Sequence, residues 1–440
     1  MKNRWLSILI VAMTMGTAWA IRGQFGHQQG AAWAGGIGAM GLVLVSQRPD
    51  WYAKIFKIAV AAAIGWGIGG MFGYGTVVGY GKNPSFVNAW YGFSMLFVLG
   101  GIFGLLGGGL TGLVLESSEQ KKVKWEFLII ETAIGGYLSY YLIDLLNIHM
   151  APPDRDSWTI CFGGGLAMIW HMARNGFSSS IRVALYSMLG AGFGFGFGDF
   201  LQTTGLVLQI NFNMWNVMEY SIGFFGGIGW AYSVFTSKWP KSLEKSIIWE
   251  NRIGLLFLML FIPVVIFQKN FHVDKMIKKL DELSELMGYT IPDAENLARI
   301  SSIAAIIILI VVPILVLIKA ERSKFVIGRS EAMFFFVVYL SMYMAVSFIV
   351  KGVLGGIILS NHYLYVVNLV VIIILLKQHW PAFTKEPVSQ INLKAWSKLL
   401  GSALVILCLL AFVSSSNRKE GDIKGINQRF PYIEKPKEEE

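Results

Sequence analysis

A chain of 440 residues that is 55% hydrophobic and only 15% charged has too few charges to cover a water-facing surface, which excludes an ordinary soluble domain. Its formal net charge of +10 is spread over short polar stretches between apolar runs, not gathered in one stripe, so no nucleic-acid partner is indicated. Two cysteines are too few for a disulfide framework or a zinc site, and the six histidines form no H-x-x-H or H-x-x-x-H pair, so no metal is expected.

Apolar runs long enough to cross the roughly 30 Å hydrocarbon core recur along the chain, and in lipid they must be helices because an open sheet would leave backbone groups unpaired. The fold class is therefore an all-α polytopic integral membrane protein, with thirteen spans expected. Residues 5–21 form the first. Lys2 and Arg4, the apolar run and Ala18-Trp19-Ala20 have the form of a secretory signal, but the segment has a counterpart at 125–145 and is read as a retained helix. Spans at 31–46, 57–75 and 89–115 complete a first unit over residues 1–120. A second unit over 121–240 holds spans at 125–145, 157–172, 182–201 and 214–236.

The second unit copies the first. At one constant offset, Gly65, Gly67, Gly69, Phe72 and Gly73 fall on Gly190, Gly192, Gly194, Phe197 and Gly198. The same offset lays Asn88 and Trp90 on Asn213 and Trp215, Gly101 and Gly104 on Gly226 and Gly229, and Trp33 on Trp158. A slightly smaller one lays Trp5 and Gly16 on Trp125 and Gly136. The Asn and Trp matches carry more weight than the glycines, which align easily by chance. Two tandem four-helix repeats are expected, in the same orientation because each holds an even number of helices. Glycines spaced four apart at 65, 69 and 73, and again at 190, 194 and 198, fit two explanations. They let helices pack closely, or they permit a broken backbone that offers N–H and C=O groups to a solute. Gly65-Trp66-Gly67-Ile68-Gly69-Gly70 matches the dinucleotide fingerprint in form only, since no strand precedes it.

Residues 241–414 are a third region, a C-terminal helical scaffold with spans at 253–268, 301–318, 331–350, 361–376 and 397–414, the last four rich in Ile, Val and Leu and poor in charge, and with a polar excursion at 269–300. Within the excursion Val273, Met276, Leu280, Leu283 and Met287 recur at helical spacing opposite Lys275, Lys278, Lys279, Asp281 and Glu285. That pattern predicts an amphipathic helix, either a connector lying on the outer membrane surface or a lid over a vestibule. Residues 415–440, with Pro431, Pro436 and three terminal glutamates, read as a polar disordered tail. Cys161 and Cys408 fall inside spans and are expected only to pack.

Basic residues fix the orientation. Lys2, Arg4, Arg48, Lys54, Lys57, Lys121, Lys122, Lys124, Arg174, Arg182 and Lys238 share one side with Lys241, Lys245 and Arg252, against Arg22, Lys82 and Arg155 on the other. The positive-inside rule then places the N-terminus in the cytoplasm and the C-terminal tail outside a cell inner (plasma) membrane.

Polar residues gather towards the external ends. Arg22, His27 and Gln28 follow the first span, Tyr74 ends the third, and Asp199 takes the matching place at the end of the seventh. Glu219 sits about a turn and a half inside the eighth, with Asn88, Asn213 and Asn216 at helix starts. A carboxylate inside a span is costly unless paired or hydrated, so Glu219 marks a site, and Arg22 or His27 is its most economical partner. Arg22, His27, Gln28, Tyr74, Asp199 and Glu219 are the expected substrate-binding residues. His149, Asp154 and Arg155 occupy the corresponding loop of the second unit; His149 and Arg155 read as interfacial. Glu131, His171 and Arg174 lie towards the cytoplasm as an inner gate, a proton path or a structural pairing. Trp19, Trp66, Trp90, Trp215 and Trp230, mostly near span ends, read as an aromatic belt.

These features imply a secondary transporter or channel-like permease for a small polar solute, with an externally open site between the two repeats. No Walker motif is present, so ATP is not the direct energy source; a proton or sodium ion at Glu219 or Asp199 is the expected coupling ion, and no cofactor is expected. The competing reading is an integral-membrane transferase or hydrolase, with His27 as general base, Asp199 or Glu219 as its orienter or as acid, and Arg22 holding a phosphate or carboxylate. A third reading is a scaffold or receptor that uses residues 269–300 as a partner surface.

Overall fold

The computed structural model describes residues 4–152, 157–241, 247–288, 291–416 and 423–431. Asp154, Arg155, Lys2 and Lys245 lie outside the described residues. Among those described the regular structure is helical, with one isolated bridge between Ser237 and Val388. The first unit contains α1 (Arg4–Arg22), α2 (His27–Ser46), α3 (Ile55–Ile68), α4 (Gly75–Gly81) and α5 (Phe86–Glu116). The second contains α6 (Trp125–Leu145), α7 (Ser157–Arg174), α8 (Ser178–Val207) and α9 (Met214–Thr236). Then come α10 (Ile248–Asn270), α11 (Val273–Met287), α12 (Ala294–Arg322), α13 (Arg329–Val350), α14 (Ser360–Lys377) and α15 (Leu393–Ser416).

Ten of these helices, all but α3, α4, α7, α9 and α11, are long and apolar enough to cross a membrane. The chain is thus compatible with a multi-pass membrane protein. The expected third span does not run unbroken to residue 75. It ends in a 3-10 turn at Gly69–Met71 and bends by 73° into α4, and the bent pair counts as an eleventh crossing if taken as one span. The expected spans at 157–172 and 214–236 are both helical, but their own Ser, Tyr, Asn, His, Arg and Glu residues keep them below that hydropathy.

The centre of the molecule is a close-packed row in which α5 lies along α8, α8 along α9 and α9 along α1, with α2 against α1 and α3. Glycine makes this spacing possible. A Cβ added at Gly190, Gly194 or Gly198 would meet the Phe225, Ser221 or Met218 carbonyl of α9, and one added at Gly192 or Gly196 would meet the Phe97 or Phe93 carbonyl of α5. The glycines of α8 therefore serve packing on two sides of a continuous helix. Those of the first unit divide. Gly65 seats α5 at Leu106, but Gly70 seats the His27 carbonyl where the chain leaves its helix, and nothing lies within 4 Å of a Cβ at Gly73 or Gly75. One cluster packs; the other breaks.

Trp19, Trp66 and Trp230 are fully buried, and Trp66 meets both of the others edge-on or tilted in the core. The belt reading does not hold for these three. α6 exposes Ile130, Tyr137, Leu138 and Tyr141 and packs mainly on α7, whereas its sequence counterpart α1 is largely buried. The cysteines are free, with Cys161 buried.

Two peripheral expectations are corrected. The amphipathic helix α11 buries Met276, Leu280 and Leu283 against the protein, so its apolar face is not turned to a membrane surface. Part of the tail is ordered: Asn427 N–H donates to the Gly79 carbonyl (2.9 Å), and Asn83 Nδ2 donates to the Asn427 carbonyl (2.9 Å). Asn88 Oδ1 accepts from Arg429 N (2.7 Å) and Phe430 N (2.8 Å), and its Nδ2 donates to the Phe430 carbonyl (3.0 Å). Polar composition suggested disorder here, but a buried side-chain amide that satisfies three backbone groups holds a polar segment without a core of its own.

Candidate functional site

α1 and α2 are antiparallel and joined by only Gly23–Gly26. Gly26 makes the reversal at φ 97°, a conformation that a side chain would disfavour. His27 and Gln28 are consequently the first residues of α2, which starts earlier than the expected residue 31. Arg22 ends α1 beneath this turn. Its guanidinium Nη2 donates to the Tyr74 hydroxyl (2.7 Å) and lies 3.1 Å from Glu219 Oε2, with neither charged side chain exposed. The Tyr74 hydroxyl donates in turn to Glu219 Oε1 at 2.6 Å. Arg22 Nη1 lies 3.2 Å from His27 Nδ1, and its guanidinium carbon sits 4.9 Å from the Trp19 ring centre and 5.6 Å from that of Phe103.

Three helical elements, α1, α4 and α9, thus bring one arginine, one tyrosine and one carboxylate to a point. Charge-assisted bonds of this kind are the strong ones, and in a site of low dielectric they offset the desolvation of two ions only when geometry is good. Arg22 Nε makes no hydrogen bond among the described residues. The cation at the centre of the cluster therefore has a donor to spare.

The cluster lies just beneath the surface. Gly23, His27, Gly73 and Gly75 are all exposed. A Cβ on Gly23 would sit 3.6 Å from Glu219 Cγ and 3.8 Å from Oε1, and the His27 ring stands edge-on to Tyr74 at 4.7 Å. Tyr74 owes its position to the break after α3: it caps the start of α4, so its hydroxyl turns in while the glycines on both sides leave the rim open.

The remaining expected residues fall elsewhere. Gln28 is exposed and lines a lateral cleft beside α3 instead of facing the ion pair. Asp199 is not at a helix end: α8 continues to Val207, and the Asp199 side chain is fully buried with Oδ2 against Gly81 of α4. Lys82, which feels the Asp199 charge, lies over Trp215 at 5.8 Å, and Trp215 stacks on Tyr74 at 6.3 Å. Asp199 is thus separated from the cluster by a layer of aromatic rings. At the opposite end, Glu131 pairs with Arg174 and, at 3.0 Å, with His171. Arg174 is exposed there, so the trio has the form of a structural pairing.

Sequence reasoning missed the second layer. Gln24 accepts from Ser347 Oγ (2.7 Å), Tyr343 donates to the Gly30 carbonyl (3.0 Å), and Asn216 Nδ2 donates to the Ala20 carbonyl (2.9 Å) and the Tyr365 hydroxyl (2.5 Å). These groups hold the α1–α2 turn from α9, where Asn216 is expected near the external end, and from α13 and α14, whose Ile/Val/Leu-rich composition reads as scaffold. Three buried hydroxyl residues inside the apolar runs of α13 and α14, Tyr343, Ser347 and Tyr365, were the available signal. α11 reaches the same turn: Lys279 Nζ donates to the Gln24 carbonyl (3.2 Å) and to Asn270 Oδ1 (2.7 Å). Burial pushes the Lys279 ammonium down to about 8, with Lys351 adding to the shift and Glu282 opposing it. Comparison with family models, with characterised proteins and with solved structures returns no match.

Proposed function

We propose that this protein is a secondary transporter or channel-like permease for a small polar solute, held in a cell inner membrane with its N-terminus in the cytoplasm and its tail outside. The observation that carries the reading is the Arg22–Tyr74–Glu219 cluster, buried under a rim of exposed glycines at the point where a span is broken. Intramembrane ion pairs and interrupted helices mark solute and ion pathways, because both are expensive to keep in lipid for structure alone. Arg22 supplies a fixed positive charge with a free Nε donor, which suits a carboxylate or other anionic group. Glu219 supplies a site for a coupling proton, and Tyr74 can donate to either partner as the charge moves.

Thirteen spans remain the proposed count, with α7 and α9 crossing as less apolar helices. α9 packs along both α1 and α8, which would shield its polar residues from lipid. A duplication of the first 120 residues is supported by the matched glycines: Gly65 seats α3 on α5 and Gly190 seats α8 on α9, the third helix on the fourth in each unit.

Purified protein in proteoliposomes, challenged with a metabolite panel under an imposed proton or sodium gradient, tests the proposal. Accumulation of at least one solute that depends on Arg22 supports it; no accumulation of any solute, with folded protein, removes it. The alternative, a membrane transferase or hydrolase, draws on the exposed His27 imidazole next to Arg22. The same vesicles decide, since an enzyme converts its substrate without enclosing it.

A further inference from the structure

A groove runs down the side of the molecule between α3 and α10, with a volume of about 360 Å³. Its floor is small residues, Ala32, Ala63 and Gly67, and its walls are Ile64 and Ile68 on one side and Phe257 and Phe261 on the other. All of its polar residues stand at one end: Gln28, Gln29 and Lys269. Ile64, Ile68, Met71 and Phe261 are exposed along it.

Three features specify what fits. The first is length. From Lys269 to Phe257 the groove follows α10 for about 18 Å at helical rise, close to the roughly 15 Å that one leaflet contributes to the hydrocarbon core. The second is charge. Lys269 is exposed and donates to an amide oxygen, Gln29 Oε1 at 3.4 Å, and among the described residues no carboxylate pairs with it. The third is the wall itself. Residues Phe257–Phe261 form a π-turn, and the rings of Phe257 and Phe261 stack at 5.3 Å on the groove side. Such turns interrupt the i to i−4 ladder at a cost and recur at functional positions.

We infer that this groove binds one acyl chain of an outer-leaflet phospholipid, with an anionic headgroup held by Lys269 and the amides of Gln28 and Gln29. An apolar trough one leaflet deep, capped at the headgroup level by a cation that has no carboxylate partner among the described residues, is complementary to that molecule and to neither a soluble anion nor a neutral lipid alone. The site does not depend on what the Arg22–Glu219 cluster transports.

Full-length protein in detergent, doped with equal amounts of phosphatidylglycerol and phosphatidylcholine of identical chains, is read by native mass spectrometry of retained lipid. We expect phosphatidylglycerol to be retained about fivefold over phosphatidylcholine, the preference one lysine at an anionic headgroup supplies. Lys269→Gln should equalise the two. Val265→Trp, which fills the groove from an α10 position lining it, should reduce both to background. Glycerol phosphate added in excess should displace neither. Equal retention by the unaltered protein overturns the inference, as does a phosphatidylglycerol preference that survives Lys269→Gln. Displacement by glycerol phosphate would reassign the site to a soluble phosphate and overturn it too. Should Val265→Trp fail to fold, the Lys269→Gln comparison decides alone.

Discussion

Arg22 and Glu219 meet at 3.1 Å with neither side chain reaching solvent, and Tyr74 bonds to both. The consequence is a separation of folding from function that can be measured. Glu219→Gln leaves an unbalanced guanidinium in the core and is expected to cost about 3–5 kcal/mol, visible as a large drop in melting temperature and yield. Arg22→Met combined with Glu219→Gln removes both charges and should recover most of that loss while uptake stays at background. If the double variant transports normally, the pair is structural and the site lies elsewhere.

The glycines of the break make opposite predictions. A Cβ at Gly70 falls on the His27 carbonyl, so Gly70→Ala forces the α1–α2 turn and the broken span apart and should cost about 1–3 kcal/mol. Gly73→Ala meets nothing within 4 Å and should change stability by no more than about 0.5 kcal/mol. Gly73→Trp should then leave the melting temperature near that of the parent protein and obstruct the rim, so that uptake falls at least tenfold, by order of magnitude about 1.4 kcal/mol. Unchanged uptake in a folded Gly73→Trp protein would show that solute does not pass this rim.

Lys279 gives a pH dependence with a definite sign. Folding lowers its pKa from the ordinary 10.5 to about 8, so between those values the unfolded chain holds a proton that the folded chain has released. Stability must therefore rise with pH across that window. Lys351, also lowered by burial, adds in the same direction. Thermal melts of the parent protein and Lys279→Met, compared from pH 7.5 to about 10.5, should show a steeper upward trend in the parent. Parallel curves would mean the ammonium is hydrated.

What could be read in the sequence was what a single residue type decides. Glu219 was legible because a carboxylate in an apolar run has few inexpensive environments, and Arg22 because it lies at the same end of the bundle. Asp199 was misplaced by the very offset that revealed the repeat. The offset lays it on Tyr74, but the α8 glycines seat carbonyls from two helices and keep that helix continuous, whereas Gly70 seats the His27 carbonyl and the chain turns. Helical periodicity named the apolar face of α11 without naming what covers it. Nor does composition report hydrogen bonds made across the fold, which is why Tyr365, Ser347 and the docked tail were not foreseen.

That tail supplies the last prediction. Residues 423–431 cross α4 and the start of α5, and Asn427 fixes the Gly79 and Thr76 carbonyls of the half-helix that begins at Tyr74. Asn88 is the anchor: its amide is buried and accounts for three of the bonds to Arg429 and Phe430. The Phe430 ring adds an edge contact with Tyr91 at 5.3 Å, and Arg429 Nη2 reaches the His149 carbonyl at 3.4 Å. Asn88→Ala removes the backbone partners and leaves the aromatic contact. At about 1 kcal/mol for each of the three hydrogen bonds lost, the detached population should rise by about two powers of ten. Trypsin cleaves an extended chain after Lys424 and Arg429, so native-state cleavage of the tail should accelerate by a comparable factor when opening is fast relative to cutting. Asn88→Asp keeps the acceptor for both N–H groups and loses the donor to Phe430, and should fall between. The helical body should melt within a few degrees of the parent in both variants, since the Asn88 amide spends these three hydrogen bonds on the tail. Cleavage at the parent rate in Asn88→Ala would show that the ring contacts, not the amide, hold the segment down.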